Sequence, residues 1–181
     1  MYWFTADTHF GHANIIKYCN RPFKTVQEMD LILIRRWNER VKSTDTVYFL
    51  GDFCFKRSTE APEGKVADYY QQQLHGNIIF IKGNHDSHNS LKTPIQGLLL
   101  ETNNQRLYCV HRPEHANLNY PINLVGHVHE KWLIRTYQNT ILFNVGVDQH
   151  KFMPISINEV LGRIQKLKHT TRLEEFRPFL G

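Results

Sequence analysis

The sequence predicts an α/β domain, and three observations carry that reading. Short β-rich runs alternate with helical runs through the first half of the chain, the order expected of parallel strands joined by crossover helices. The second half is a succession of short strand-like runs separated by polar turns. Five polar clusters, built almost wholly from Asp, Asn and His, each stand where an apolar run ends. In open α/β sheets, ligands bind beyond the carboxyl ends of the strands.

Each element follows from its own residues. Tyr2–Ala6 is a strand that runs into Asp7. Asn14 reads as the cap of a helix starting at Ile15. Thr25-Val26-Gln27-Glu28 is a capping box, and its helix extends to about Val41, with Met29, Ile32, Leu33, Arg36, Trp37 and Arg40 near helical spacing. Lys42–Asp45 turns the chain into the strand Thr46–Leu50, which ends at Gly51-Asp52. Pro62–Leu74 reads as a helix with Gly76 as its C-cap. Ile78–Lys82 is the next strand and ends at Gly83-Asn84-His85-Asp86. Leu98–Glu101, Arg106–Val110, Ile122–Val125, Trp132–Thr136 and Thr140–Val145 make a second, more antiparallel sheet. Ser156–Glu159 is another capping box, opening a helix to about Leu167. The last dozen residues are polar, contain Pro178 and are expected to pack loosely at the surface.

Bulk properties narrow the class. A chain of 181 residues fits one domain, residues 1–181, and 41% hydrophobic content excludes a disordered chain. No apolar run approaches the ~20 residues of a membrane helix. Met1 leads straight into a strand and leaves no room for a signal peptide, so a soluble, cytoplasmic protein is expected, with no membrane partner. Cys19, Cys54 and Cys109 are odd in number and lack C-x-x-C spacing, which argues against a disulfide scaffold or a thiolate zinc site. Cys109 reads as a core residue, and Cys54 lies two residues past Asp52. The 22 Lys+Arg against 17 Asp+Glu suit an anionic substrate. The cations are spread out. Only Arg35-Arg36 and Lys166/Lys168/Arg172 cluster, as solvated helix faces. No aromatic–basic stripe is present, so stable nucleic-acid binding is not indicated. Oligomeric state is not legible.

The five clusters carry the chemistry. They are Asp7-Thr8-His9, Gly51-Asp52, Gly83-Asn84-His85-Asp86, His111 and Gly126-His127-Val128-His129. Imidazole with carboxylate suits zinc, manganese or iron, the ligand set of a hydrolytic two-metal centre. Alone, each has an ordinary reading: a turn, a loop dipeptide, a satisfied buried histidine. Five in one order at strand ends is a different matter. On an extended segment His127 and His129 would share a face with Val128 turned to the core, and Asp7 and His9 would do so about Thr8. Gly51, Gly83 and Gly126 precede ligands and let the chain turn sharply.

In this set and order the sequence resembles the calcineurin-like metallophosphoesterases, from Tyr2 to about Ile157. The resemblance implies an αββα sandwich, two facing mixed β-sheets flanked by helices. It implies that Asp7, His9 and His129 bind a first metal, that Asp52 bridges, and that Asn84, His111 and His127 bind a second. The cofactors implied are two divalent ions, manganese foremost, with zinc, iron, nickel or magnesium as alternatives. A bridging hydroxide is then the nucleophile and His85 the general acid, its imidazole suited to protonate a leaving alkoxide near neutrality. Asp86 either orients His85 or caps the following segment. Protein phosphatases of the superfamily carry an Asp three residues after the bridging Asp, followed by Arg-Gly; here Phe55, Lys56 and Arg57 stand there. The opening Asp7-Thr8-His9-Phe10-Gly11-His12-Ala13-Asn14-Ile15-Ile16 resembles instead small bacterial and phage phosphoesterases. The expected activity is hydrolysis of a phosphodiester or nucleotide-type phosphate ester. A phosphomonoesterase is the alternative, and a non-catalytic scaffold or a nuclease stands further off. His12 and Arg112 are candidate substrate contacts, with loop capping and an Arg112–Glu114 ion pair as their bland readings.

Overall fold

The computed structural model describes residues 1–86, 91–102 and 105–170, with the side chains of residues 167–170 excluded. The final dozen residues, Lys168 and Arg172 therefore lie outside the described set, apart from the backbone of residue 170 and of Lys168 itself.

Two mixed sheets flanked by helices make the architecture, as expected. In the first sheet, β1 (Tyr2–Thr5), β2 (Thr46–Leu50) and β3 (Asn77–Ile81) run parallel in the order β3-β2-β1. In the second, β4 (Gly97–Thr102), β5 (Gln105–Val110), β6 (Ile122–Val125), β7 (Ile134–Tyr137) and β8 (Thr140–Asn144) lie in the order β4-β5-β6-β8-β7. A short β9 (Ile155–Ser156) completes the first sheet antiparallel to β1. Two residues give too little alternation for sequence patterning to find it.

The second sheet is less antiparallel than its sequence predicts. Its two edge pairs are antiparallel, but β5–β6 and β6–β8 are parallel. The short connection β7–β8 is a hairpin, and it carries β8 back to lie beside β6. Sequence distance between strand-like runs did not reveal that crossover.

Side-chain alternation builds the layers. Phe4, Tyr48, Leu50 and Ile81 of the first sheet meet Leu107, Cys109, Leu124, Ile141 and Phe143 of the second in one buried cluster. Trp3, Val47 and Phe49 point the other way, onto Met29, Leu33 and Trp37 of α2 (Val26–Asn38) and Val66, Ala67 and Tyr70 of α3 (Val66–Gln71). α4 (Ile157–Thr170) adds Val160 and Ile164 to the inner cluster.

Both N-caps form, and the Ser156 box closes fully while Glu28 reaches back one residue further, accepting from Lys24 N at 2.7 Å. Thr25 accepts from Glu28 N at 3.1 Å, and Ser156 exchanges bonds with Glu159, whose Oε2 accepts from Ser156 N at 3.0 Å. Two helices depart from expectation. α1 spans Ala13–Tyr18, and its N-cap is His12, not Asn14, because His12 Nδ1 accepts from Ile15 N at 3.2 Å. α3 is shorter than Pro62–Leu74 because Gly64 sits at φ +72, outside helical space. Its last turn tightens through Leu74 N→Gln71 O, so Gly76 is not its C-cap. Among the described residues no helix is long and apolar enough to cross a membrane.

Candidate metal centre

The candidate residues gather because parallel strands end together. β1 delivers Asp7 and His9, β2 Asp52, β3 Asn84 and His85, β5 His111, and β6 His127 and His129. An Ala6–Gly146 bridge ties the β1 end to the β8 end across the two sheets.

The backbone there is not extended. Asp7, His9, Asp52, His127 and His129 all have positive φ, between 46° and 70°. The expectation of extended alternation is therefore wrong, although Thr8 and Val128 are buried as predicted. The left-handed region disfavours non-glycine residues by roughly 1–2 kcal/mol each, and clusters of such residues mark functional sites. Neighbouring loops hold them: Asp7 N donates to Gly51 O at 3.0 Å and His9 N to Asp52 O at 3.1 Å. Gly51, at φ +88, is the one glycine of the three whose conformation demands glycine, and a Cβ there would also lie 2.6 Å from His111 Nδ1. Gly126 serves another purpose, since a Cβ would meet Ala6 Cβ at 2.7 Å and Asp7 Oδ2 at 3.0 Å.

Two groups of side chains present ligand atoms within 4.8 Å of one another: Asp7, His9 and His129, and Asp52, His111 and His127. Asn84 Oδ1 lies 3.0 Å from His111 Nε2 and so joins the second. Asp52 lies between them, with Oδ2 3.6 Å from His9 Nε2 and 3.4 Å from His111 Nε2. His9 Nε2 is buried with no hydrogen-bond partner. Such an orphaned atom costs about 1–3 kcal/mol, and a cation would satisfy it. The donor set therefore fits divalent metals. His111 Nδ1 is fixed on Leu50 O at 2.7 Å and His129 Nδ1 on Asp148 Oδ2 at 3.0 Å. Each thereby turns its Nε2 toward the other candidate ligands, the arrangement that orients metal-binding histidines.

Charge is held under tension. Burial raises Asp7 to about 6, against the lowering pull of His111 and His129. Burial also works against Asp52, but the His111 hydrogen bond and the nearby imidazoles hold it well below the ordinary carboxylate value. Burial pulls His111 down, but the Asp52 hydrogen bond, the charges of Asp7 and Asp52 and the Leu50 carbonyl together raise it to about 9. His127, desolvated and facing His111 and Arg112, falls to about 4. These opposed shifts describe carboxylates and imidazoles packed closely with protons between them, and divalent cations compete with such protons.

Three expected supporting residues take clear positions. His85 is exposed, its ring 5.5 Å from His9 and its N–H donating to Asp52 Oδ1 at 2.9 Å. His12 caps α1 yet also lines the cavity shared by His9 and His85. Arg112 lies in a cavity with Lys82, Asn84, His111 and His115, and no Arg112–Glu114 ion pair forms. Asp86 has a role the sequence did not suggest, and the segment it was expected to cap, residues 87–90, lies outside the described residues. Its carboxylate accepts from Asp52 N and Gly83 N, each at 2.8 Å, and from Phe53 N at 3.1 Å, locking the β2 and β3 loops together. Cys54 is buried and desolvation pushes its thiol to about 12, which leaves it unreactive.

Sequence reasoning missed Arg21 and Asp148. Arg21 is buried and reaches Asp7 O at 2.7 Å and Thr8 O at 3.0 Å, while its fork holds Asp148. Asp148 follows β8 as the other site residues follow their strands, and that placement was the available signal. The ligand atoms of Cys19, His129 and Asp148 also lie within 4.8 Å of one another, with His129 hydrogen-bonded to Asp148 and in contact with Cys19.

Comparison with known proteins agrees with this geometry. The chain is 37% identical over 170 residues to an uncharacterized protein of Methanocaldococcus jannaschii, MJ1445, covering 90% of each. It is 34% identical over 85 residues to the Gene 66 protein of Mycobacterium phage L5, covering 46% of this chain and 39% of the phage protein. The fold is similar to that of AQ665 from Aquifex aeolicus, described as of unknown function, with TM-score 0.66 and 22% identity over 92% of this chain and 98% of that one. Residues 2–156 match the calcineurin-like phosphoesterases. Strand-end carboxylates and imidazoles in a metal-binding arrangement, on two mixed sheets, together with that match over most of the length, place this chain in the calcineurin-like phosphoesterase family, metal-dependent hydrolases of phosphoric ester bonds.

Proposed function

We propose that the protein is a phosphodiesterase, acting on a phosphodiester or nucleotide-type ester at a centre for two divalent ions. The position of Asp52, between two ligand groups and within 3.6 Å of an imidazole from each, carries the reading. Asp7, His9 and His129 hold one ion; Asn84, His111 and His127 hold the other; Asp52 touches both. When bound, the ions supply a Lewis acid pair and a strong nucleophile at neutral pH. Manganese is the ion we favour, because the set mixes oxygen and imidazole donors without thiolate.

The chain's own groups complete the chemistry. His85 projects beside His9 and protonates the departing alkoxide. Arg112 offers its guanidinium to a non-bridging phosphate oxygen on the Asn84–His111 side, and His12 lines the opposite side. The whole chain serves as one catalytic unit. Cys19, Cys54 and Cys109 form no disulfide, which supports placement in the reducing cytoplasm.

A hydrolysis screen tests the proposal. Bis-p-nitrophenyl phosphate and p-nitrophenyl phosphate are compared with manganese, nickel, zinc and magnesium. Faster turnover of the diester, with manganese best, is expected. Preference for the monoester makes the protein a phosphomonoesterase, and no turnover with any ion removes the catalytic reading.

A further inference from the structure

Two cavities meet beside His85. One, of about 200 Å³, is lined by His9, His12, Cys54, Phe55, Lys56 and His85. The other, of about 360 Å³, shares His12 and Phe55 and continues to Gln27, Arg57, Ser58 and Thr59. The larger volume is of the size that takes a small organic group. The leaving half of a substrate held for protonation by His85 must enter this space.

Its wall is aromatic and fixed. The His12 and Phe55 rings lie with centroids 4.5 Å apart, tilted by 60°. Phe55 is 37% exposed, and among the described residues it alone of the large exposed apolar side chains borders the His9–His85 cavity. Its backbone is pinned by Phe55 N→Phe10 O at 2.8 Å. His12 is pinned too, because Nδ1 accepts the α1 capping bond, and the ring is therefore in its Nε2–H tautomer, flat and neutral. Beyond the rings the lining turns polar, with the Gln27 amide and the Ser58 and Thr59 hydroxyls, and charged groups of both signs border it, Lys56 and Arg57 against Asp30 and Glu60. A flat apolar face, a polar rim and nearby cations are complementary to a base, a ribose and a phosphate.

We propose that the leaving half of the substrate is a nucleoside, its base laid against Phe55 and His12. This rests on the phosphodiesterase reading. In the reaction a water oxygen bonds to phosphorus and releases a proton to solvent, the bond from phosphorus to the nucleoside oxygen breaks, and that oxygen takes the His85 proton, which solvent restores. The other product keeps the phosphate.

The test is competition by adenosine and by ribose against hydrolysis of bis-p-nitrophenyl phosphate, with calorimetric titration of adenosine into metal-free protein alongside. Adenosine is expected to compete and bind where ribose does not. Phe55→Ala and Phe55→Leu should each weaken adenosine roughly 10-fold or more in both measurements, at unchanged melting temperature. Adenosine no better than ribose, or undiminished in both variants, overturns the proposal. Adenosine binding without hydrolysis under any metal overturns the phosphodiesterase reading, and the leaving-group role falls with it.

Discussion

Arg21 grips Asp148 with two nitrogens, Nε on Oδ1 at 2.8 Å and Nη2 on Oδ2 at 3.0 Å, and both side chains are buried. The same guanidinium holds the carbonyls of Asp7 and Thr8. One residue from the loop after α1 thus braces the β1 turn and, through Asp148, the imidazole of His129. Arg21→Met should lower stability by about 3–5 kcal/mol, because the buried Asp148 carboxylate loses both guanidinium bonds and keeps only His129, and the carbonyls of Asp7 and Thr8 lose their donor. Arg21→Lys should recover only part, since an ammonium cannot match the fork. Urea unfolding checks both; a loss under 1 kcal/mol in the Met variant would refute the bracing role.

Asp52 belongs to the His111–His127 group and reaches within 3.6 Å of His9 in the other, so we propose that it bridges the two. Asp52→Asn should reduce hydrolysis by at least ~10²-fold. His127→Ala and His129→Ala should each lose a metal, from different sites. Elemental analysis with activity measurements decides: full occupancy in either histidine variant, or substantial turnover by the Asp52 variant with metal retained, goes against the assignment.

His85 reaches Asp52 only through its backbone N–H, so its imidazole is free to act on the leaving group. His85→Ala should keep metal content and lose ~10²–10⁴-fold on alkyl esters, whose alkoxides need a proton. On p-nitrophenyl esters the loss should be far smaller. Equal losses on both substrate types would make His85 a phosphate-positioning group instead.

Asp30 gives the protein a pH-dependent weakness away from the metal groups. Burial raises its pKa from 3.8 to about 6, despite hydrogen bonds from Tyr70 Oη at 2.7 Å and Gly11 N at 3.0 Å. A raised carboxyl favours the folded state fully below the unfolded pKa. That contribution is lost as pH rises through about 6. The difference corresponds to about 3 kcal/mol. Asp30→Asn keeps an acceptor for Gly11 and removes the titration. Its urea-unfolding free energy should gain on wild type as pH rises from about 4 to 7; parallel pH profiles for the two proteins would disprove this.

Much of this was legible because strand ends announce themselves. Val47, Phe49 and Leu50 are apolar for burial on two faces, and the first polar residues after them, Gly51-Asp52, had to lie outside the sheet. The same logic located Asp7, Asn84, His111 and His127. It failed where the meaning of a residue lies in a distant partner. Nothing within 20 positions of Arg21 says that Asp148 will meet it. Asp86 reads as a neighbour of His85 in sequence, yet its partners are the amides of Asp52, Gly83 and Phe53. Patterning also reports which face a strand buries but not which strand lies next to it, so the parallel pairs of the second sheet stayed hidden.

Five of the seven proposed ligands sit on left-handed backbone, a conformation that glycine adopts without strain. The wild-type side chains at Asp7, His9, Asp52, His127 and His129 are thus each a local handicap to folding that only their chemistry justifies. Glycine at any of them would relieve backbone strain while removing a donor. A laboratory lineage chosen for heat resistance alone would drift at these five positions first, and a hardened protein of this fold would be the one to suspect of having lost its reaction.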